Sequence, residues 1–403
     1  MRIPVLVPFV LCAFVDLSFS YLLYPALSTQ FLALDGDGFG VLASTLLECG
    51  RFAFDCTQTA TVFRGPAYPA ALALVNLPWG EIDPARVAIF HTLLNLLLLA
   101  AIIRLAHTIS DRRTAIVAGL LFSIHPLAHV FVPRFLADTM LATLFIGGIT
   151  MMLAPPGGDT RKGDALAAAT LTIALLVKQI MLPMVPIVAL LVRHQRRDRS
   201  SRRSAALVAF VPLLLILPWS LRTSTLAGSF VPIHTGSGFN VVVGNDVAGH
   251  FLEHPFAGLT LFQIGQERAE LLAGPERHDD PVHDAVWDGR LLRNGIGEWG
   301  ADPVAFVWKL SLNVLLFFTL GTSVSNSLVM LTSFLLLLPF VLRGLRRTWR
   351  LPMGGALMLI GSAYMALHLP VYAIGRFSIP ILPIFLLIAA MGIRGEDRSP
   401  TPS

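Results

Sequence analysis

Apolar stretches close to the length of a membrane span recur along the whole chain. A helix needs about 20 predominantly apolar residues to cross a bilayer. Runs near that length fall at 3–24, 87–105, 114–132, 138–153, 165–178, 179–193, 205–220, 326–342, 354–372 and 377–394. Backbone in lipid must satisfy its own hydrogen bonds, so such a chain folds as packed helices. Composition agrees with this. Of 403 residues 55% are hydrophobic and only 14% charged, against about 25% charged in a soluble domain, and the mean hydropathy is +0.70. The fold class predicted is an all-α polytopic membrane protein of about ten transmembrane helices, a single integral domain over residues 1–403.

Basic clusters orient the set. Arg104, Arg112 and Arg113 follow the second run, Arg161 and Lys162 the fourth, and an arginine-rich segment at 193–203 the sixth. Such clusters stay on the cytoplasmic side, which accounts for most of the +5 net charge without invoking nucleic acid. Both termini then lie inside, and the first run is read as an uncleaved span, being longer than a signal-peptide core. Asp16 within it costs roughly 2.5–3.5 kcal/mol on insertion scales, so it is expected to face other helices and meet a polar partner. Two large segments face outward, 25–86 and 221–325; residues 395–403 form a disordered tail. In the second outer segment 303–321 is placed as an interfacial helix with Lys309 and Asn313 as polar markers, because a full span there would put Arg343, Arg346, Arg347 and Arg350 outside; the alternative is eleven spans with the C-terminus outside. Val241-Val242-Val243 in the same segment reads as β-like, and about 259–293 as helical with breaks at Gly274-Pro275 and Pro281.

The first outer segment carries the densest chemistry. Asp35 and Asp37 stand where the chain leaves an apolar run, ahead of an amphipathic helix expected from Phe39 to Leu47. A carboxylate at a membrane surface can take a proton from an acceptor hydroxyl; it can equally be a solvated turn acid. Cys49 and Cys56 in this loop are free to pair in an oxidising compartment. Arg64, Arg134, Lys178, Arg222 and Arg376 fall at or just beyond the outer ends of predicted spans. Arginine's planar fork suits phosphate, while a single such residue can simply snorkel to the interface. Arg134 and Asp138 sit four apart on one helix face, as a local ion pair or as a second acid in an outer cavity. His125 and His129 share that spacing without a completing carboxylate, so no metal site is assigned. His234 is a candidate substrate contact. No P-loop or dinucleotide glycine pattern occurs, which favours a membrane-borne donor over a nucleotide-borne one.

Four motifs in register resemble the GT-C-fold membrane glycosyltransferases that use polyprenyl-phosphate sugars, the superfamily of protein O-mannosyltransferases and lipid A aminoarabinose transferases. They are Asp35-Gly36-Asp37-Gly38-Phe39-Gly40; Leu42 to Gly50 with Arg64-Gly65-Pro66-Ala67-Tyr68-Pro69; Pro218-Trp219-Ser220-Leu221-Arg222-Thr223 with Gly238-Phe239-Asn240 and Gly244-Asn245; and Arg376-Phe377-Ser378-Ile379-Pro380 with Pro383. Gly36, Gly65, Ala67 and Thr223 depart from the family pattern. The resemblance implies that Asp35 is the catalytic acid, with Asp37 as its understudy. Some of Arg64, Lys178, Arg222 and Arg376 are expected to hold the donor phosphate, and Tyr68, Arg134, Asp138, His234 and Asn245 are the further candidate substrate contacts. The implied reaction is inverting transfer of a single sugar to a lipid, glycan or protein acceptor, at the periplasmic face of a bacterial inner membrane. No cofactor is expected, with a divalent metal left open. The competing readings are a transporter or flippase, which Asp16 and the proline-broken run at 179–193 would suit, and an oligosaccharide ligase or polymerase.

Overall fold

The computed structural model describes residues 5–23, 37–196, 199–275, 278–351 and 353–393. Asp35, the expected catalytic acid, and the tail at 395–403 lie outside the described residues. Among those described the structure is helical throughout, without strands, as the fold class requires. Helix α1 (Leu6–Ser18) runs into a π turn, Phe19–Leu23. Helices α2 (Phe39–Cys49) and α3 (Ala67–Asn76) follow. Then come α4 (Pro84–Ile109), α5 (Arg112–Ile124), the single turn α6 (Pro126–His129), α7 (Asp138–Leu153), α8 (Thr160–Val177), α9 (Met184–Arg196) and α10 (Arg199–Ala227). Next come α11 (Ser237–His250), α12 (Gly258–Ala273), α13 (Pro281–Ala301) and α14 (Pro303–Thr319). Helices α15 (Val324–Arg350), α16 (Gly354–His368) and α17 (Leu382–Ile393) complete the chain, the last entered through a 3₁₀ segment, Gly375–Ile381.

Local sequence sets these boundaries. An aspartate followed by proline opens α4, α13 and α14. In each case the Asp83, Asp280 or Asp302 carboxylate accepts from a first-turn N–H, and proline takes the first position, where no amide hydrogen is needed. Asp111, Asp159 and Ser323 cap α5, α8 and α15 in the same way. Among the described residues, four elements are long and apolar enough to cross a membrane: α4, the part of α10 from Arg202, α15, and Gly375–Ile393. The expected spans at 3–24, 138–153, 179–193 and 354–372 coincide with shorter apolar helices, whereas 114–132 is broken between α5 and α6 at His125-Pro126. Helices α13 and α14 bend by 108° at Asp302.

The main core joins α1 and α4–α10 to α15–α17 through residues such as Leu98, Phe122, Phe145, Leu171 and Leu387. Buried within it, Asp16 finds the partner its position demands. His129 Nδ1 lies 2.6 Å from Oδ1, Asn95 Nδ2 donates to both carboxylate oxygens at 3.2 Å, and Cys12 Sγ is 4.0 Å from Oδ2. The cluster ties α1 to α4 and α6. His129 is thus a partner for Asp16, and His125 caps the turn at Leu127.

The β-like reading of Val241–Val243 is corrected: all three lie inside α11 and are buried. Val242 packs on Ala269, Trp287 and Leu291, and Val243 on Leu261, Leu312 and Leu316. Burial on several sides overrides a modest β preference. The breaks expected at Gly274 and Pro281 do separate α12 from α13, and Cys49 is disulfide-bonded to Cys56 at the end of α2.

Candidate functional site

Residues between Asp37 and Gly65 and between Pro232 and Trp299 meet the end of α8 and the Gly375–Ile381 segment around a half-open cavity of about 770 Å³. Its chemistry begins at Asp37, immediately before α2. Gly38 follows with φ +72°, a left-handed conformation, and a Cβ there would strike the Phe54 ring. Glycine is therefore required to turn the chain into α2 and leave Asp37 at the cavity wall. The next residue, Phe39, packs edge-on against Tyr68 at 5.0 Å, which fixes α2 against α3.

Two arginines clamp Asp37 from distant parts of the chain. Arg376 Nη1 is 3.1 Å from Oδ2, and Arg64 Nη2 is 3.6 Å from Oδ1. Arg64 Nε also donates to the Asp37 carbonyl at 2.8 Å. Burial pushes the Asp37 carboxyl up, but the charges of Arg376, Arg64 and Lys178 outweigh it and hold the group at about 2. Asp37 is 20% exposed, so the pair remains open to a ligand. Aromatic faces hold the cations in turn. Arg64 lies 3.8 Å over the Phe63 ring, and Arg376 and Lys178 lie 5.1 and 4.8 Å from the centroid of Phe377.

Lys178 ends α8 in an extended conformation that turns it out of the helix. Asp138, at the first turn of α7, takes it at 2.6 Å. The ion pair that spacing offered to Arg134 and Asp138 is thus made to Lys178 instead. Counting the described charges, three cations face the carboxylates of Asp37 and Asp138. Guanidinium and ammonium groups arranged in this way are suited to a phosphate.

His234 lines the cavity with Nδ1 2.6 Å from the Thr235 carbonyl, and burial pushes its imidazole down to about 4, so it is neutral at neutral pH. Five of the residues singled out from the sequence therefore come together here: Asp37, Arg64, Lys178, His234 and Arg376. Others line other parts of the fold. Tyr68 is fully buried, with its hydroxyl 2.9 Å from His91 Nε2. Arg222 stacks on Trp219 at 4.4 Å and donates to the Thr61 carbonyl at 3.3 Å, stapling the first outer segment to α10. Arg134 lies over Phe131. Asn245 belongs to a network with Glu298, Trp299 and Lys309.

Spacing alone misses several wall residues. Gln179, next to Lys178, donates to Ser237 Oγ at 2.5 Å. His278 stacks on Phe63 with centroids 3.5 Å apart. Asp288 accepts from the amides of Ser237, Gly238 and Phe239 at 3.2, 2.7 and 3.2 Å and so fixes the start of α11. A Cβ at Gly238 would collide with the Asp288 carbonyl, so this close approach needs glycine. The helix N-terminus that could otherwise hold an anion is thereby occupied by the protein's own carboxylate.

Residues 64–221 match the family of dolichyl-phosphate-mannose-protein mannosyltransferases. No curated protein matches the chain by sequence. In structure the chain is similar to the archaeal oligosaccharyltransferase AglB from Archaeoglobus fulgidus, solved with an inhibitory peptide and a dolichol-phosphate. That alignment has 16% identity and a TM-score of 0.58 over 96% of this chain and 50% of that one. ArnT from Cupriavidus metallidurans bound to undecaprenyl phosphate aligns over 96% of this chain and 77% of its own, with 16% identity and a TM-score of 0.43. The chain spans about half the length of AglB. With the AglB architecture matched over nearly the whole chain and the mannosyltransferase family matched over residues 64–221, the chain has the GT-C fold of membrane glycosyltransferases.

Proposed function

We propose that the chain is an inverting glycosyltransferase that moves one sugar from a polyprenyl-phosphate donor to an acceptor hydroxyl, on the periplasmic face of a bacterial inner membrane. The observation that carries this reading is the cation cage of Arg64, Lys178 and Arg376 around Asp37, in one half-open cavity at the ends of apolar helices. A phosphate entering there meets charge-assisted donors already held by aromatic stacking and carboxylates. Positioned cations of this kind lower the barrier by stabilising the charge that develops on the leaving phosphate. Asp37, ionised and bound to two arginines, is a weak base that orients the clamp. Asp35, two residues upstream, is the general base. It takes the acceptor proton as the hydroxyl oxygen bonds to the anomeric carbon, and the lipid phosphate departs with the electrons of the broken C–O bond.

A membrane assay with a panel of radiolabelled polyprenyl-phosphate hexoses and pentoses tests this. Asp35→Asn should reduce transfer by roughly 10²–10⁴-fold at equal expression, the scale of a general-base contribution. Near wild-type turnover in that variant would remove Asp35 from the role. Both Asp37 oxygens meet arginine nitrogens, a donor set for holding an anion rather than a divalent cation. Full transfer in the presence of EDTA is therefore expected, and loss that added metal restores would overturn the metal-free reading.

A further inference from the structure

Lys309 and Asn313 stand four residues apart on the buried face of α14, beside Leu312, Leu316 and Phe317. They are only 2% and 1% exposed. An ammonium and an amide lie that deep where they meet polar partners. Here the partners are three successive backbone carbonyls. Lys309 Nζ donates to Pro370 at 2.7 Å, and Asn313 Nδ2 donates to Leu369 at 2.7 Å and to Val371 at 3.1 Å. These carbonyls follow α16, which ends at His368. A helix end leaves carbonyls without partners in the helix, and Pro370 cannot carry the helix on. Helix α14 supplies the donors instead.

The segment held in this way leads into the clamp. Tyr372, Arg376 and Phe377 line the cavity, while Lys309 and Asn313 do not. Two further ties follow: the Tyr372 N–H donates to the Asn240 carbonyl and the Gly375 N–H to the Leu320 carbonyl, both at 2.8 Å. Gly244 of α11 approaches so closely that a Cβ there would strike the Val371–Tyr372 backbone. Lys309 Nζ donates as well to Asn245 Oδ1, which also accepts from Trp299 Nε1, and Trp299 is another cavity residue. One ammonium thus joins the chain before Arg376 to the Trp299 wall. Arg376 follows Gly375 in the 3₁₀ segment, so its place depends on where the chain enters. Its Nη1 lies 3.1 Å from Asp37 Oδ2, and a contact of that kind weakens with a small displacement.

Resting on the donor-phosphate reading above, we infer that Lys309 and Asn313 are positioning residues for donor binding: without touching the ligand they fix Leu369–Val371 and so set Arg376 in the clamp.

The test is equilibrium binding of a sugar-free short-chain prenyl phosphate to the purified full chain. The proteins are wild type, Lys309→Met, Asn313→Leu and Arg376→Gln, and each α14 change combined with Arg376→Gln. Alone, Lys309→Met and Asn313→Leu should each weaken binding by about three- to ten-fold. Combined with Arg376→Gln, each should add less than about two-fold, because its effect passes through the guanidinium already removed. Lys309→Gln, whose amide still donates, should bind more tightly than Lys309→Met, and it takes that variant's place in the comparison should Lys309→Met not fold. Wild-type affinity in the α14 variants overturns the inference and leaves the donor-phosphate reading standing. An equal loss with and without Arg376 also overturns it, since the α14 residues would then act on the structure at large. No binding of the prenyl phosphate by wild type brings down the parent reading together with this one.

Discussion

Asp16 and Asp37 both meet basic partners brought from far along the chain, yet they end in opposite surroundings. Asp16 and His129 are fully buried, and Asn95 and Cys12 close the remaining contacts of the carboxylate. Each carboxylate oxygen has a partner inside the protein. Asp37 is held by arginines at 3.1 and 3.6 Å on the wall of a large cavity, with Lys178 adding a third positive charge nearby. Among the described residues three cations there meet the carboxylates of Asp37 and Asp138. A closed pair fixes helices; a clamp on a cavity wall is open to a ligand from outside.

Breaking the closed pair should act on stability and not on chemistry. Asp16→Ala leaves His129 and Asn95 buried without their acceptor, and breaking a buried pair from one side typically costs about 3–5 kcal/mol. Thermal unfolding of the purified protein should show that loss, while transfer per folded molecule stays near wild type. Replacing His129 by glutamine together with Asp16 by asparagine should cost less than the two single changes added, because contacting partners are not additive. A strictly additive result would mean that the two side chains do not act as a pair.

A smaller effect sharpens the contrast through pH. The folded Asp37 carboxyl sits at about 2, below the ordinary aspartate value of about 3.9. A depressed carboxyl contributes its stabilisation fully above the ordinary value, and loses it as pH falls toward the folded one. The melting-temperature difference between wild type and Asp37→Asn should therefore be flat from about pH 5 to about pH 9 and shrink below about pH 4. A difference that changes between about pH 6 and pH 8 would mean that the clamp does not hold Asp37 ionised.

The scaffold is readable in the sequence for a physical reason. Span-length apolar runs and Asp-Pro starts are local signals, and α4, α13 and α14 begin where those signals stand. The partner demanded by Asp16 was foreseeable as a need, though not as His129, because a single intramembrane acid states its cost without naming what meets it. The cage was legible in part. Arg64, Lys178 and Arg376 stood out as cations on the side where arginines are less expected, and they converge. Arg222 and Arg134 carried the same signal and face elsewhere, since residue type and membrane depth do not set a helix's rotation. Tyr68 and Asn245 lie in motifs that pack the wall instead of lining it. Gln179, His278 and Asp288 gave no signal: each acts through contacts to residues some 50 or more positions away in most cases, as Gln179 does with Ser237 and Asp288 with Gly238. The valine triplet misled because propensity reports the backbone's local preference, while α11 is decided by what surrounds it.

The central claim is that the Asp37 clamp is where the donor phosphate binds. The most direct measurement compares binding of a short-chain prenyl phosphate to wild type, Arg376→Gln and Arg222→Gln, two arginines of which only the first lines the cavity. Arg376→Gln should weaken binding at least about ten-fold, as loss of a charge-assisted contact does, while Arg222→Gln stays within about two-fold. Equal affinities for all three proteins, or a larger loss in Arg222→Gln, would contradict the claim.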